Sequence, residues 1–239
     1  MSVESAEMTK NALNAFLATS VTFINEIAAL CEQVGADAVE VERGLKSEAR
    51  IGPRAYLSPG GAIAGGTLTR DFVFLSQLGR THGVRPHLRS LVKASNYAHM
   101  RWAECRLSET LGEVAGRTIA VWGLTYKPGT DSLRRSGSVE LCRWLHAERA
   151  AYCAHDPAVT QLPLDLAACV RLADTAIAAV EDASALVVAT PWPEYRHVSA
   201  GDVTAGMKRR LVLDANRYIA DTLVSAPEVE YLSVGKGSK

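Results

Sequence analysis

The sequence predicts an α plus α/β protein, with an all-helical domain over residues 1–115 followed by a parallel α/β domain over 116–239. Three observations lead there. Apolar residues recur at helical spacing from Ala6 to Val34 and again from about His87 to Glu113. After Gly116 the period changes, and short apolar runs such as RTIAVWG, ASALVVAT and RLVLD alternate with helical patterns. Between the two regimes lies a glycine-bearing boundary, Gly112–Gly116.

Each element follows from its residues. The helix over 6–34 stops at Gly35, and ADAVEVERGL, from Ala36 to Leu45, reads as a short second helix. A Gly- and Pro-rich loop, RIGPRAYLSPGGAIAGGTLTRD, runs from Arg50 to Asp71, a length normally reserved for function or disorder. Helices resume from Phe72 to Gly83 and from His87 to Glu113, the latter without internal proline or glycine. That long helix carries Leu88, Leu91, Val92, Tyr97 and Met100, an apolar set that needs a partner surface. A homodimer through helix 87–113 is the expected solution. In the second half, Arg117–Gly123, Ala150–His155, Ala183–Thr190 and Arg210–Asp214 read as strands, with helices over Ser138–Glu148 and Val170–Val180.

Composition narrows the function classes. Lys plus Arg and Asp plus Glu number 26 each, with 12 of each sign before Arg117 and 14 of each from Arg117 onward. This removes the electrostatic case for nucleic acid or an anionic membrane as partner. No apolar run reads as approaching the ~20 residues needed to span a bilayer. Residues 1–20 carry acids early and lack a basic n-region, so they do not read as a signal peptide. Cys31, Cys105, Cys142, Cys153 and Cys169 are odd in number, widely spaced and without a CxxC. They read as reduced thiols of a cytoplasmic protein. No metal-ligand constellation is present.

Three constellations stand out. Gly60, Gly61, Gly65 and Gly66 beside Arg70 and Asp71 read either as a tight surface turn or as a binding loop. The loop lacks GxxxxGK[ST], and no strand leads into a GxGxxG. The turn GLTYKPGTDSLRRS, from Gly123 to Ser136, follows a strand and offers Lys127, Arg134 and Arg135 ahead of a helix N-terminus. It reads as a phosphate or diphosphate site, or else as a solvated basic turn. On the first helix, Glu7, Lys10 and Asn14 share a face, and Asn25–Glu26 interrupts an apolar run. The six histidines form no HxH or HExxH set, and each reads as a surface or core residue.

These stretches carry a resemblance. AEMTKNALNAFLATSVTFINEIAALCEQVGAD, RIGPRAYLSPG, GLTYKPGTDSLRRS, AHDP, ATPWPEY and LDANRYI resemble, in order, the central and C-terminal parts of the UDP-glucose/GDP-mannose dehydrogenase family. The resemblance implies a helical dimerisation domain followed by a Rossmann-like domain that binds a UDP- or GDP-sugar. It also implies an N-terminal NAD domain that has no counterpart in these residues. By family register Lys10, Asn14, Thr67 and Asp71 are implied to be catalytic. Arg50, Tyr56, Leu57, Gly60, Lys127 and Arg134 are implied to bind substrate. No cofactor-binding residue is implied within the chain, and NAD enters only if a separate Rossmann subunit supplies its site.

Two departures matter. Against the family loop PGxAFGGSCLPKD, PGGAIAGGTLTRD aligns without a gap and places Thr67 where the nucleophilic cysteine stands. Arg135 stands where the family has glutamate. A cysteine thiol can be tuned to a thiolate, whereas a threonine hydroxyl has no comparable anion near neutral pH. Three functional readings follow. The first is a split dehydrogenase oxidising a sugar CH–OH group with NAD supplied through a partner polypeptide. The second is a non-catalytic nucleotide-sugar-binding or scaffold protein. The third is a repurposed, cofactor-free enzyme using Lys10, Asn14 and Asp71.

Overall fold

The computed structural model describes residues 1–64, 67–84, 87–223, 226 and 228–237, without the side chains of Thr67, Leu68, Thr69 and Phe72. The chain divides into two compact units, Met1–Met100 together with Val234–Lys239, and Arg101–Ser233. The expected division near residue 115 therefore moves to Arg101.

The first unit is helical. Helix α1 (Val3–Val34) starts at Ser2, whose side chain accepts from the Ser5 N–H at 3.2 Å, and ends at Gly35 with φ 75°. Ala18, Thr22, Asn25, Ala28 and Cys31 recur every three or four residues and are buried, which defines its inward face. Helices α2 (Ala38–Ser47), α3 (Thr67–Thr81) and α4 (Leu88–Met100) all pack against α1. Among the described residues α1 is long and apolar enough to cross a membrane by length and composition alone. This corrects the sequence reading that no such stretch exists.

The second unit opens with helix α5 (Trp102–Leu111) and continues β1 (Thr118–Trp122), α6 (Gly137–Ala147), β2 (Ala151–His155), α7 (Leu164–Ala167), β3 (Arg171–Leu172) and α8 (Ala176–Val180). It closes with β4 (Ala185–Val188), a 3-10 turn (Pro193–His197), α9 (Ala200–Gly206), β5 (Leu211–Asp214), α10 (Ala220–Leu223) and β6 (Glu230–Leu232). All strands are parallel, in the order β3-β2-β1-β4-β5-β6. β1, β4 and β5 are buried on both faces, as the unbroken apolar runs required. One core packs α5, α6 and α7 on one face of the sheet. A second core packs α8, α9 and α10 on the other. The strand order reverses direction between β1 and β4, which is where open α/β sheets open a ligand crevice.

Several elements differ from expectation. The helix expected over 87–113 is two helices broken at Arg101, which adopts φ −87°, ψ 8°. Its two halves serve different cores: Val92 packs with Ala18, whereas Leu107 and Leu111 join the sheet core. Of its apolar positions, Leu88, Leu91, Tyr97 and Met100 remain exposed. The helix expected over Val170–Val180 is the strand β3 followed by α8, because Arg171 and Leu172 pair with Cys153 and Ala154 of β2. The Thr175 side chain then caps α8 by accepting from the Ala178 N–H at 3.0 Å. Helix α3 starts five residues ahead of Phe72, so Asp71 lies inside it. Strand β6, a three-residue edge, was not anticipated.

The C-terminal segment completes the helical unit. The Gly235 N–H donates to Glu32 Oε1 at 2.8 Å, and its carbonyl accepts from the Ala38 N–H at 2.8 Å. Lys236 bridges antiparallel to Asp37. Gly235 has φ 77°, and a Cβ there would sit 2.2 Å from the Ala38 Cβ. Gly235→Ala is therefore expected to destabilise the helical unit by about 2–4 kcal/mol through strain and overlap. Urea unfolding followed by circular dichroism checks this, and an unchanged midpoint would contradict it.

Candidate functional site

In the sheet unit, the carboxyl ends of β1, β2 and β4 meet at one point. Asp156, directly after β2, is buried, and its Oδ2 accepts from Leu124 N (2.7 Å), Thr125 N (2.9 Å), Thr125 Oγ1 (3.1 Å) and Trp192 Nε1 (3.1 Å). Its Oδ1 accepts from Ala158 N at 2.9 Å. Thr190, just past β4, donates its hydroxyl to the Thr125 carbonyl at 2.5 Å. Gly123 passes so close to Thr190 that a Cβ would lie 2.3 Å from the threonine Cβ, and its φ is 91°. Only glycine fits this crossing. The turn after β1 then projects outward. Lys127 and Arg134 are exposed on it, and exposed Arg135 adopts φ 58°. The turn is closed by Tyr126 N to Ser132 O at 3.2 Å. It ends at buried Ser136, whose side chain accepts from the Ser138 N–H at the start of α6.

Aromatic packing backs this edge. Tyr195 stacks on Trp122 with ring centroids 4.7 Å apart and donates its hydroxyl to the His155 carbonyl at 2.8 Å. Burial pushes the Tyr195 phenol far above its ordinary range, reinforced by the Asp156 charge. Burial also lowers the His155 imidazole. At the end of β5, Asp214 is fully buried and its Oδ2 accepts from Ile219 N at 2.8 Å and from the Tyr231 hydroxyl at 2.7 Å.

In the helical unit, two side-chain groupings organise the loop and the start of α3. Asn14 on α1 donates its amide to Asp71 Oδ2 on α3, a carboxylate that is otherwise buried. Arg70 Nε lies 3.9 Å from the other Asp71 oxygen. Buried Asn25 accepts from the Gly60 N–H at 3.0 Å and donates to the Gly61 carbonyl at 3.3 Å. Asn96 on α4 accepts from Ile63 N at 2.7 Å and donates to Ile63 O at 3.2 Å. His99 Nε2 lies 2.7 Å from the Gly60 carbonyl, so that nitrogen carries the donated proton. The polar interruption in α1 thus has a purpose: it holds backbone groups that the irregular loop leaves without partners.

The residues singled out from the sequence fall into two separate groups, one in each unit. In the helical unit the structure joins Asn14 to Asp71 and places Gly60 under the Asn25 and His99 contacts. Lys10 is exposed on α1, as is Glu7. Thr67 is the first residue of α3, but its side chain lies outside the described atoms, and Gly65 and Gly66 lie outside the described residues. Arg50 is exposed and pairs with Glu48 at 2.9 Å. Tyr56 is exposed, whereas Leu57 is buried. Lys127 and Arg134 belong to the sheet unit's turn. Sequence reasoning missed Asn96, His99, Thr190 and Trp192 as organising residues. The last two sit in ATPWPEY, a stretch quoted without any role for its side chains.

Chemically, the sheet-unit turn offers exposed cations after a strand end and ahead of the α6 N-terminus, which suits an anion such as a diphosphate. The Asn14–Asp71 pair offers a carboxylate that can exchange a proton, held by an amide donor. Among the described residues no group of three or more His, Cys, Asp or Glu could hold a metal ion.

Comparison with known proteins matches residues 4–98 to "UDP-glucose/GDP-mannose dehydrogenase family, central domain" and residues 120–221 to its "UDP binding domain". The chain is 35% identical to a UDP-glucose 6-dehydrogenase of Pseudomonas aeruginosa, covering 97% of this chain and 52% of that protein. It is 33% identical to one of Bacillus subtilis, covering 98% of this chain and 51% of that protein. The structure of a UDP-glucose dehydrogenase from Pyrobaculum islandicum superposes with a TM-score of 0.80 at 25% identity, covering all of this chain and 52% of that one. The chain thus spans about half the length of the relatives it matches.

Burial pushes the His99 imidazole below its ordinary range, opposed by its bond to Gly60 and by the Glu32 charge. A depressed folded pKa means that the unfolded chain binds more protons below about pH 6.5, so stability falls with acidification. His99→Gln keeps a donor for Gly60 and removes this titration. Its melting temperature is therefore expected to fall less than the wild type's between about pH 7.5 and about pH 5.5. An equal or larger fall would contradict this origin.

Proposed function

Because the chain belongs to the UDP-glucose/GDP-mannose dehydrogenase family, we propose that it handles a nucleotide-diphosphate sugar. The sheet unit takes the diphosphate on the turn carrying Lys127 and Arg134. Taken by itself, the helical unit carries Lys10, Asn14, Thr67 and Asp71 as the residues assigned to the chemistry. Arg50, Tyr56, Leu57 and Gly60 belong to the sugar-binding loop on this reading. The observation that carries it is the convergence of three strand ends on the root of a basic turn, at the reversal point of a parallel sheet.

Oxidation of the sugar CH–OH group is the reaction of this proposal. NAD would be held by a Rossmann subunit outside these 239 residues, and would supply the hydride acceptor. Within this chain, Asp71 and Lys10 would manage the proton of the reacting hydroxyl, with Asn14 orienting the Asp71 carboxylate. Thr67 stands in the register of the nucleophilic cysteine, so any step that needs a thiolate nucleophile lacks one in this chain. That same threonine favours a second reading, a nucleotide-sugar-binding protein without turnover.

The protein of this proposal is a cytoplasmic homodimer. Leu13, Phe16, Phe23, Leu30 and Val34 of α1 are exposed at three-, four- and seven-residue spacings, the pattern of a helix seam. Exposed Leu88, Leu91 and Tyr97 of α4 add to the apolar surface, in place of one continuous helix over 87–113.

Titration calorimetry with UDP- and GDP-sugars tests the binding. Saturable heat is expected with one series, and Lys127→Ala is expected to weaken it roughly tenfold or more, since a charged hydrogen bond is worth about 1.5–3 kcal/mol. No heat and no competition across both series would overturn the reading.

A further inference from the structure

We infer that Asp156 is a positioning residue for the diphosphate turn, fixing the direction in which Lys127 leaves the sheet. The inference rests on the reading of that turn as the diphosphate site. Folds with this strand order place an acidic residue near the end of the second strand to bind the ribose of a dinucleotide. Asp156 occupies that kind of position but faces inward. Its two oxygens accept five hydrogen bonds from the protein's own groups, and it is 5% exposed.

The geometry converts this saturation into aim. Both backbone groups of Thr125 are held from neighbouring strand ends, the N–H by Asp156 at 2.9 Å and the carbonyl by the Thr190 hydroxyl at 2.5 Å. The preceding N–H, that of Leu124, is also held by Asp156, and Gly123 is pressed against Thr190. The chain therefore enters Tyr126–Lys127 from a residue whose two peptide planes are fixed. The Trp192 indole ties the exit of β4 to the same carboxylate oxygen. At the other end of the turn, Leu133 packs on the sheet core and Ser136 is buried. Lys127 thus projects from a segment anchored at both ends, and a cation so held loses less freedom on meeting a phosphate.

An amide cannot reproduce this arrangement. Asparagine presents one acceptor and one donor group, so it would set an N–H against either the Ala158 N–H or the cluster at Oδ2. The root of the turn would relax, and the contribution of Lys127 would shrink with it.

The test is a double-mutant cycle in UDP binding, measured by calorimetry on the full chain with Asp156→Asn, Lys127→Ala and the pair. Asp156→Asn is expected to weaken UDP about tenfold. Lys127→Ala is expected to cost roughly tenfold or more in the wild type but less than about threefold beside Asp156→Asn. A role in overall stability alone would leave the Lys127 effect equal in both backgrounds. Trp192→Phe, which removes one donor and keeps the carboxylate, serves as the milder variant if Asp156→Asn does not fold. It is expected to weaken UDP about twofold to threefold and to couple to Lys127 in the same direction. Wild-type binding with unaltered affinity in the folded variants, or additive effects, would overturn this inference alone. If the wild-type chain takes GDP rather than UDP, the same cycle is read with GDP; a wild-type chain that takes neither would overturn the diphosphate reading, and the inference with it.

Discussion

The buried Asp156 carboxylate decides how the sheet unit can end its strands. Parallel strands finish with their last carbonyls and the next residues' N–H groups facing a common edge, and those groups need partners where water is excluded. One carboxylate supplies acceptors for two backbone N–H groups of the turn, a threonine hydroxyl, an indole and its own following loop. Replacing such an acceptor leaves several buried donors competing for one oxygen, which is costly. The close crossing of Gly123 and Thr190 follows from the same convergence. A side chain at residue 123 would push apart the two strand ends that the carboxylate draws together.

The helical unit solves a similar problem with amides rather than a carboxylate. An irregular loop packed on helices exposes backbone groups that no ladder satisfies. Asn25 and Asn96 each present one donor and one acceptor to a short stretch of that loop, so each side chain satisfies both signs. His99 adds a donor to the Gly60 carbonyl. Burial favours its neutral imidazole, against the bond to Gly60 and the Glu32 charge. Gly60 is thereby held on both its backbone groups, by Asn25 and by His99.

Much of this was legible in the residues. Strands β1, β4 and β5 are buried on both faces and so read as unbroken apolar runs. β3 was not legible, because two residues with exposed Arg171 carry no period and the apolar stretch around them fits a helix equally well. β6 is a short edge strand for the same reason. The break at Arg101 left no mark in the sequence: neither proline nor glycine causes it, and it arises where one apolar pattern serves two cores. In the site, Asn25 announced itself as an amide in an apolar run, but its partners lie 35 and 36 residues away and could not be named. Thr190 meets Thr125 across 65 residues, a pairing set by strand order rather than by local pattern. Histidine spacing could not single out His99, whose role depends on a backbone carbonyl.

The central claim is that the convergence of β1, β2 and β4 builds an anion site on the turn they support. Amide hydrogen–deuterium exchange of the full chain, with and without UDP-glucose, addresses it most directly, since ligand contact slows opening of the segment that is bound. The expected result is new protection over residues 124–136 and the first turn of α6. Unchanged exchange in that segment at saturating ligand, or protection confined to other strand ends, would contradict it.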